Sequence, residues 1–429
     1  MEEKKGEEKK KKKILSLITI AVAVLAITIG IGLLLANGNK KGNSGNSEPD
    51  KPYNPNKVVL DGFTFAPLKL EANEDNLVYS PLSVKYALSM LSEGAKGETK
   101  EEIDKLIKDL GLTKYDNIDK VLSLANSIFI RDIYSDKIKT DYINLLKEKY
   151  NADVIFDEFK SADNVNKWIE NKTFNIIKDM LSDDLVQNPA VKLLLINALA
   201  IDMAWSTEFN PENTTSRPFT NGKGQEVNVA MMHKTSETNE FYQDEDFSVL
   251  SMPFRDYNGT NLEFISIMPN QKNLKEILIK DDMNSTITNL IDKLHSPSNQ
   301  ELSISIPRFE YEFKTSLKND LIQMGIKKAF KSDADFSLIG GNDLFVDDVL
   351  HKANIKCSEK GVKAAAATVI IMKDNAMPFE PDSKEKIYLN FNKPFMYIIR
   401  DTKTKEVWFV GTVYEPLLWD NVKGDYSYQ

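Results

Sequence analysis

His351 and Cys357 lie six positions apart, and a thiol beside an imidazole is the simplest nucleophile and base that this chain of 429 residues could assemble. An even separation puts both side chains on one side of a strand. At about 3.3 Å per residue, however, the strand would hold them roughly 20 Å apart, far beyond hydrogen-bond reach. Cys357 is the only cysteine, so an internal disulfide is excluded, and His233, His295 and His351 are the only histidines, too few to suggest a zinc site. No G-x-S-x-G, H-E-x-x-H or glycine-rich phosphate loop occurs. Acids such as Asp333 and Asp335 read as solvated loop residues. The chemistry of catalysis has no visible carrier here, and no cofactor or metal is implied.

A different kind of chemistry is written at residues 359–371, EKGVKAAAATVII, where four alanines, good helix formers, run straight into residues that prefer strands. As a strand, the stretch divides into two faces. Val362, Ala364, Ala366, Thr368, Ile370 and Met372 form a face without charge, whereas Lys363, Ala365, Ala367, Val369, Ile371 and Lys373 begin and end with lysine. Small residues make such a segment undemanding between neighbouring strands. Conflict between helix and strand preference is expected where a segment has two states.

The elements that must position this stretch lie on both sides of it. Apolar residues at helical spacing occupy 85–110, interrupted by Gly94 and Gly97, and further helices are expected near 141–150, 163–182 and 315–328. Strand-like runs fill 191–201, 247–254, 261–269 and 301–307, and the chain closes with a hairpin of 395–401 and 407–415. Helices and strands without regular alternation define an α+β fold with antiparallel or mixed sheets.

Ahead of this body, residues 14–36 form an uncharged apolar stretch of 23 residues, enough to span about 34 Å as a helix. A membrane anchor is the reading that fits this length; a cleaved signal peptide, the alternative, would be shorter and end in a small-residue site. Seven lysines precede the stretch and only Lys40 and Lys41 follow it closely, so the basic segment 1–13 is expected in the cytoplasm. Residues 37–57, rich in Gly, Asn, Ser and Pro, read as a flexible linker to an outward-facing body, or to a secreted one if the segment is cleaved. Residues 1–57 hold 11 lysines against 6 acids, a net +5, so the total of −9 leaves −14 on the remainder. An acidic body argues against nucleic acid as a partner.

The alanine run resembles the proximal hinge of the reactive-centre loop in the serpin family. Eight further motifs are similar to that family and follow in its order: NLVYSPLSVKYALSMLSEGAKGET (76–99), NALAIDMAW (197–205), VNVAMMHKT (227–235), PRFEYEFKTSLKNDLIQMGIKKAF (307–330), ADFSLI (334–339), DDVLHKANIKCSEKG (347–361), FNKPFMYII (391–399) and FVGTVYEP (409–416). The resemblance implies a serpin domain over 58–418, with three β-sheets, about nine helices and a reactive loop over about 359–380, followed by a tail of 419–429. A monomeric, membrane-anchored, prokaryotic-type member is expected.

The family activity that this implies is not catalysis. It is the single-use inhibition of serine, or alternatively cysteine, endopeptidases through a covalent 1:1 acyl complex; a non-inhibitory binding or scaffold protein is the alternative. Glu359 and Gly361 would start the hinge, Val362 would be its first inward-facing position, and Ala364, Ala365, Ala366, Ala367 and Thr368 would continue it. Many inhibitory members carry threonine where this chain has Val362. The usual spacing puts the scissile bond at Asn375-Ala376, with Lys373 and Met372 as alternatives. Ser80, Ser83, Asn197 and His351 match the polar cluster that gates the large sheet, and Trp205 the tryptophan at its top. Asp202 and Met203 depart from the family, which usually has lysine and glycine there. Cys357, on the strand entering the hinge, is expected to be buried and inert.

Overall fold

The computed structural model describes residues 62–107, 112–341, 344–363 and 384–426, all within one compact unit, Asn56–Gln429. The expected membrane segment 14–36, the hinge from Ala364 to Thr368 and the scissile-bond candidates Met372, Lys373, Asn375 and Ala376 lie outside the described residues. Among the described residues, no helix is long and apolar enough to cross a membrane.

Three sheets and ten α-helices make up the described chain. The largest sheet for function has the order β11-β12-β13-β4-β2-β3, built from Leu122–Arg131 (β2), Asp153–Asp157 (β3), Leu193–Ala204 (β4), Phe309–Ser316 (β11), Leu350–Cys357 (β12) and Gly361–Lys363 (β13). A second six-stranded sheet runs β1-β16-β15-β9-β8-β7, from Leu77–Tyr79 (β1), Phe241–Gln243 (β7), Phe247–Pro253 (β8), Leu262–Pro269 (β9), Phe395–Asp401 (β15) and Val407–Val413 (β16). The third sheet, β14-β10-β6-β5, uses Thr215–Thr220 (β5), Glu226–Ser236 (β6), Gln300–Pro307 (β10) and Glu385–Asn390 (β14).

The helices are Gly62–Leu70 (α1), Pro81–Glu93 (α2), Gly97–Ile107 (α3), Thr140–Tyr150 (α4), Asp163–Lys172 (α5), Asp183–Gln187 (α6), Leu274–Leu278 (α7), Met283–Asp292 (α8), Lys318–Gln323 (α9) and Trp419–Val422 (α10). Ser80 starts α2: its Oγ accepts the Ser83 N–H at 3.2 Å, and Pro81 occupies the first turn, where a missing N–H has no cost. The expected break after α2 falls at Gly94, and α3 begins at Gly97 with φ +51°, a left-handed conformation that glycine adopts without strain. Two expected helices are shorter than their patterns. The 163–182 pattern stops as a helix at Lys172, because Phe174 and Asn175 turn left-handed and redirect the chain, and the 315–328 pattern loses its first residues to β11. A local left-handed turn decided the first of these ends, and the pairing of β11 with β12 the second.

Candidate functional site

A tight turn carries the site. Ser358 N–H donates to Gly361 O at 3.0 Å and Gly361 N–H returns to Ser358 O at 3.2 Å, so β12 reverses directly into β13. β13 then lies between β12 and β4, antiparallel to both, with Val362 opposite Cys357 on one side and Met203 on the other. Gly361 is required by closeness: a Cβ there would meet Met203 O at 2.0 Å, a collision with backbone that cannot move aside.

Glu359, at the tip of the turn, faces inward and is 7% exposed. Thr214 Oγ1 donates to its Oε1 at 2.7 Å, Arg308 Nε stands 3.8 Å from its Oε2, and Phe209 N–H donates to its carbonyl at 2.9 Å. A buried carboxylate held by a hydroxyl and a guanidinium is stable as long as its partners remain. Trp205 completes the clamp. Its backbone N–H donates to Lys360 O at 2.8 Å and its Nε1 to Ser358 O at 2.9 Å, while its ring stacks on Phe254 at 4.8 Å.

Below β13 the sheet is built differently. Among the described residues, β4 pairs with β13 only at Asp202–Ala204 and β12 only at Lys356–Cys357, and the facing edges further down carry no ladder to each other. A cavity of about 460 Å³ opens in this part of the molecule, lined by Leu193 to Asn197 of β4, Leu350 to Lys352 at the start of β12, and Ser83 and Leu88 of α2. Beta12 alternates between half-buried and buried positions, so Ala353, Ile355, Cys357 and His351 form one inward row.

The polar cluster sits at the cavity wall. Ser80 N–H donates to His351 Nε2 at 3.3 Å, Ser80 Oγ donates to Trp408 O at 2.8 Å, and the His351 ring lies 5.2 Å from that of Tyr79. Burial pushes the His351 imidazole down to about 4, so it is neutral near pH 7 and accepts through Nε2. Asn197 does not join this group through hydrogen bonds. Its amide donates to Asn126 Oδ1 at 2.8 Å across the β2–β4 pair, and among the described residues its buried Oδ1 has no hydrogen-bond partner. Asn197 and His351 nonetheless line the same cavity. Asn126 carried no signal in the sequence because it pairs across strands; Thr214 and Arg308 lay in or near quoted motifs, yet no spacing links them to Glu359.

Cys357 and His351 stand at opposite ends of β12, both buried. Burial raises the Cys357 thiol well above its usual range and leaves it inert as a nucleophile. No catalytic pair forms.

These features define a sheet in which, among the described residues, β4 and β12 are joined only through the clamped hinge strand β13. The family model described as serpin (serine protease inhibitor) matches residues 62–416, and the chain belongs to the serpin family. A serpin-like protein of Methanosarcina mazei is 29% identical over 84% of this chain and 86% of its own length. The leukocyte elastase inhibitor of Xenopus laevis is 30% identical over 80% of this chain and 93% of its own. Among solved structures, the thermophilic serpin tengpin in its native state matches 82% of this chain and 93% of its own with a TM-score of 0.67 at 26% identity. Members of this family are generally protease inhibitors and not enzymes.

Proposed function

We propose that this protein is a single-use inhibitor of serine endopeptidases, with cysteine endopeptidases as the alternative target, and that it traps the acyl-enzyme by inserting its cleaved loop between β4 and β12. The observation that carries this reading is β13 itself, already paired on both edges and antiparallel to both neighbours. Continuing its two registers would set Ala364 opposite Ile201 and Ile355, and Thr368 opposite Asn197 and His351. The uncharged face of the hinge would then cover the inward row of β12, while the polar rung would receive the threonine hydroxyl.

In the proposed reaction the protease hydroxyl attacks the carbonyl of the residue before the scissile bond, taken as Asn375, with Lys373 and Met372 as alternatives. The amide bond breaks, the new amine on the following residue leaves with a proton, and an ester joins the two proteins. Roughly fourteen inserted residues would carry that ester some 46 Å along the sheet. Each inserted residue gains ladder hydrogen bonds and buries its inward side chain, which drives the change. Water then meets a distorted catalytic site, and the ester persists.

Residues 14–36 are proposed to anchor the inhibitor, with 1–13 in the cytoplasm and the body outside. Extraction of membranes with alkaline carbonate tests this: release of the full-length protein into the supernatant excludes an integral anchor.

The test of inhibition mixes the full-length protein in detergent with subtilisin-, chymotrypsin-, trypsin- and asparaginyl-type proteases. A band at the summed mass that survives boiling in detergent is expected with at least one, and the first residue of the released fragment identifies the bond. Loop cleavage by every protease without such a band would leave a non-inhibitory binding or scaffold protein.

A further inference from the structure

At the level of the hinge, one rung of the sheet's register joins four positions whose residues carry charge. The registers are Glu310↔Lys356 between β11 and β12, Lys356↔Lys363 between β12 and β13, and Lys363↔Asp202 between β13 and β4. In-register positions share a face, and the neighbouring rung, Phe309, Cys357, Val362 and Met203, is fully buried, so Glu310, Lys356 and Asp202 lie on the opposite face, in register with position 363. Lys356 Nζ is 2.7 Å from Glu310 Oε2, and that pair is partly exposed.

Like charges directly opposite each other in a sheet are unfavourable, and opposite charges favourable, by similar amounts. Docking β13 beside β12 brings a second lysine next to Lys356. An acid on each flank makes the rung neutral in sum: Glu310 on the β12 side and Asp202 on the β4 side. We infer that Asp202 is a positioning residue that counters the charge of the hinge at position 363, and thereby sets how firmly the first hinge residues are held in the sheet. Asp202 is half-buried, and its backbone N–H donates to Val121 O at 2.8 Å, so its backbone is held independently of the hinge. Its consequence for protease trapping rests on the insertion reading above; its effect on docking does not.

Hydrogen exchange of the 358–364 peptide in the full-length protein, at low salt and without protease, measures docking directly. Asp202→Asn is expected to speed exchange about two- to fivefold, and Asp202→Lys by more. Adding Lys363→Glu to Asp202→Lys alternates the charges along the rung and is expected to return exchange to the parent rate or below. At 1 M salt, where charges are screened within about 3 Å, the differences are expected to collapse. Unchanged exchange in Asp202→Asn and Asp202→Lys overturns the inference, as does failure of the second substitution to restore protection, or an effect undiminished by salt. Because no protease is present, a rung that behaves this way in a protein that traps nothing would count against the inhibitory reading alone.

Discussion

The two six-stranded sheets differ in what their central strands touch. In the sheet of β1, β16, β15, β9, β8 and β7 every position of β9 and β16 is buried, and the antiparallel ladder is unbroken apart from one irregularity at Ile399/Arg400. In the sheet holding the hinge, β12 is buried at alternate positions only, and among the described residues just the three of β13 supply a ladder between β4 and β12. Among the described residues, the first sheet is paired strand to strand throughout, whereas in the second β4 and β12 are joined at the hinge end alone. On the insertion reading proposed above, the capacity for change belongs to the second.

The sheets meet through aromatic rings. Phe264 of β9 stacks on Tyr397 at 5.2 Å and lies 5.6 Å from Trp205 and 6.4 Å from Phe309, so the filled sheet supports the clamp of the open one. Phe264→Ala is therefore expected to have the largest effect on stability, about 3–5 kcal/mol in denaturant unfolding. It should also loosen the 358–361 turn. A loss below 1 kcal/mol would remove the contrast between the sheets.

Val362→Arg attacks the open sheet without touching the filled one. An unpaired charge among Cys357, Met203 and the other inward residues costs several kcal/mol in the inserted state, so the loop is expected to be cleaved as a substrate with no detergent-stable complex. Complex yield equal to the parent's would sink the inserted-strand reading.

Acid should act on the open sheet next. His351 has a folded-state pKa of about 4 against the ordinary 6.5, so the unfolded chain binds more protons between these values. Its contribution is full above pH 6.5 and is lost as pH falls toward 4, on the order of 3 kcal/mol in all. The protonated ring can no longer accept from Ser80 N–H. Replacing the imidazole in His351→Asn should flatten the stability–pH slope in that window; an unaltered slope would assign the acid response elsewhere.

Glu359→Gln keeps the shape of the clamp and removes its charge. With Thr214 and Arg308 left facing a neutral amide, a loss of about 1.5–3 kcal/mol is expected, read as faster exchange across 358–363 while β9 stays protected. Equal loosening of both sheets would contradict the local role of the clamp. The smallest effect belongs to Val362→Thr, which changes the packing of a residue that is 2% exposed. It is expected to alter the number of inhibitor molecules consumed per trapped protease by less than about fivefold, in favour of trapping; no improvement would show that valine does not slow insertion.

Several parts of this molecule were written locally. The period-two pattern of β12, the small uncharged residues of the hinge and the Ser-Pro start of α2 follow from side-chain size, alternation and capping chemistry within a few residues. From these and the order of the motifs, the three-sheet fold and the place of the hinge were legible. The start of α9 was not, since it depends on where β11 ends, nor was the end of α5, which is set by the left-handed turn at Phe174 and Asn175. Nor was the clamp, because Thr214 meets Glu359 across 145 residues of chain and Ser80 meets His351 across 271. Asn197 shows the limit most plainly: its motif placed it in the polar cluster, yet its amide turned to Asn126, the residue opposite it in the β2–β4 ladder. A sequence determines which side chains can be buried, charged or small; which of them face one another is decided when distant strands pair and buried polar atoms take the partners within reach.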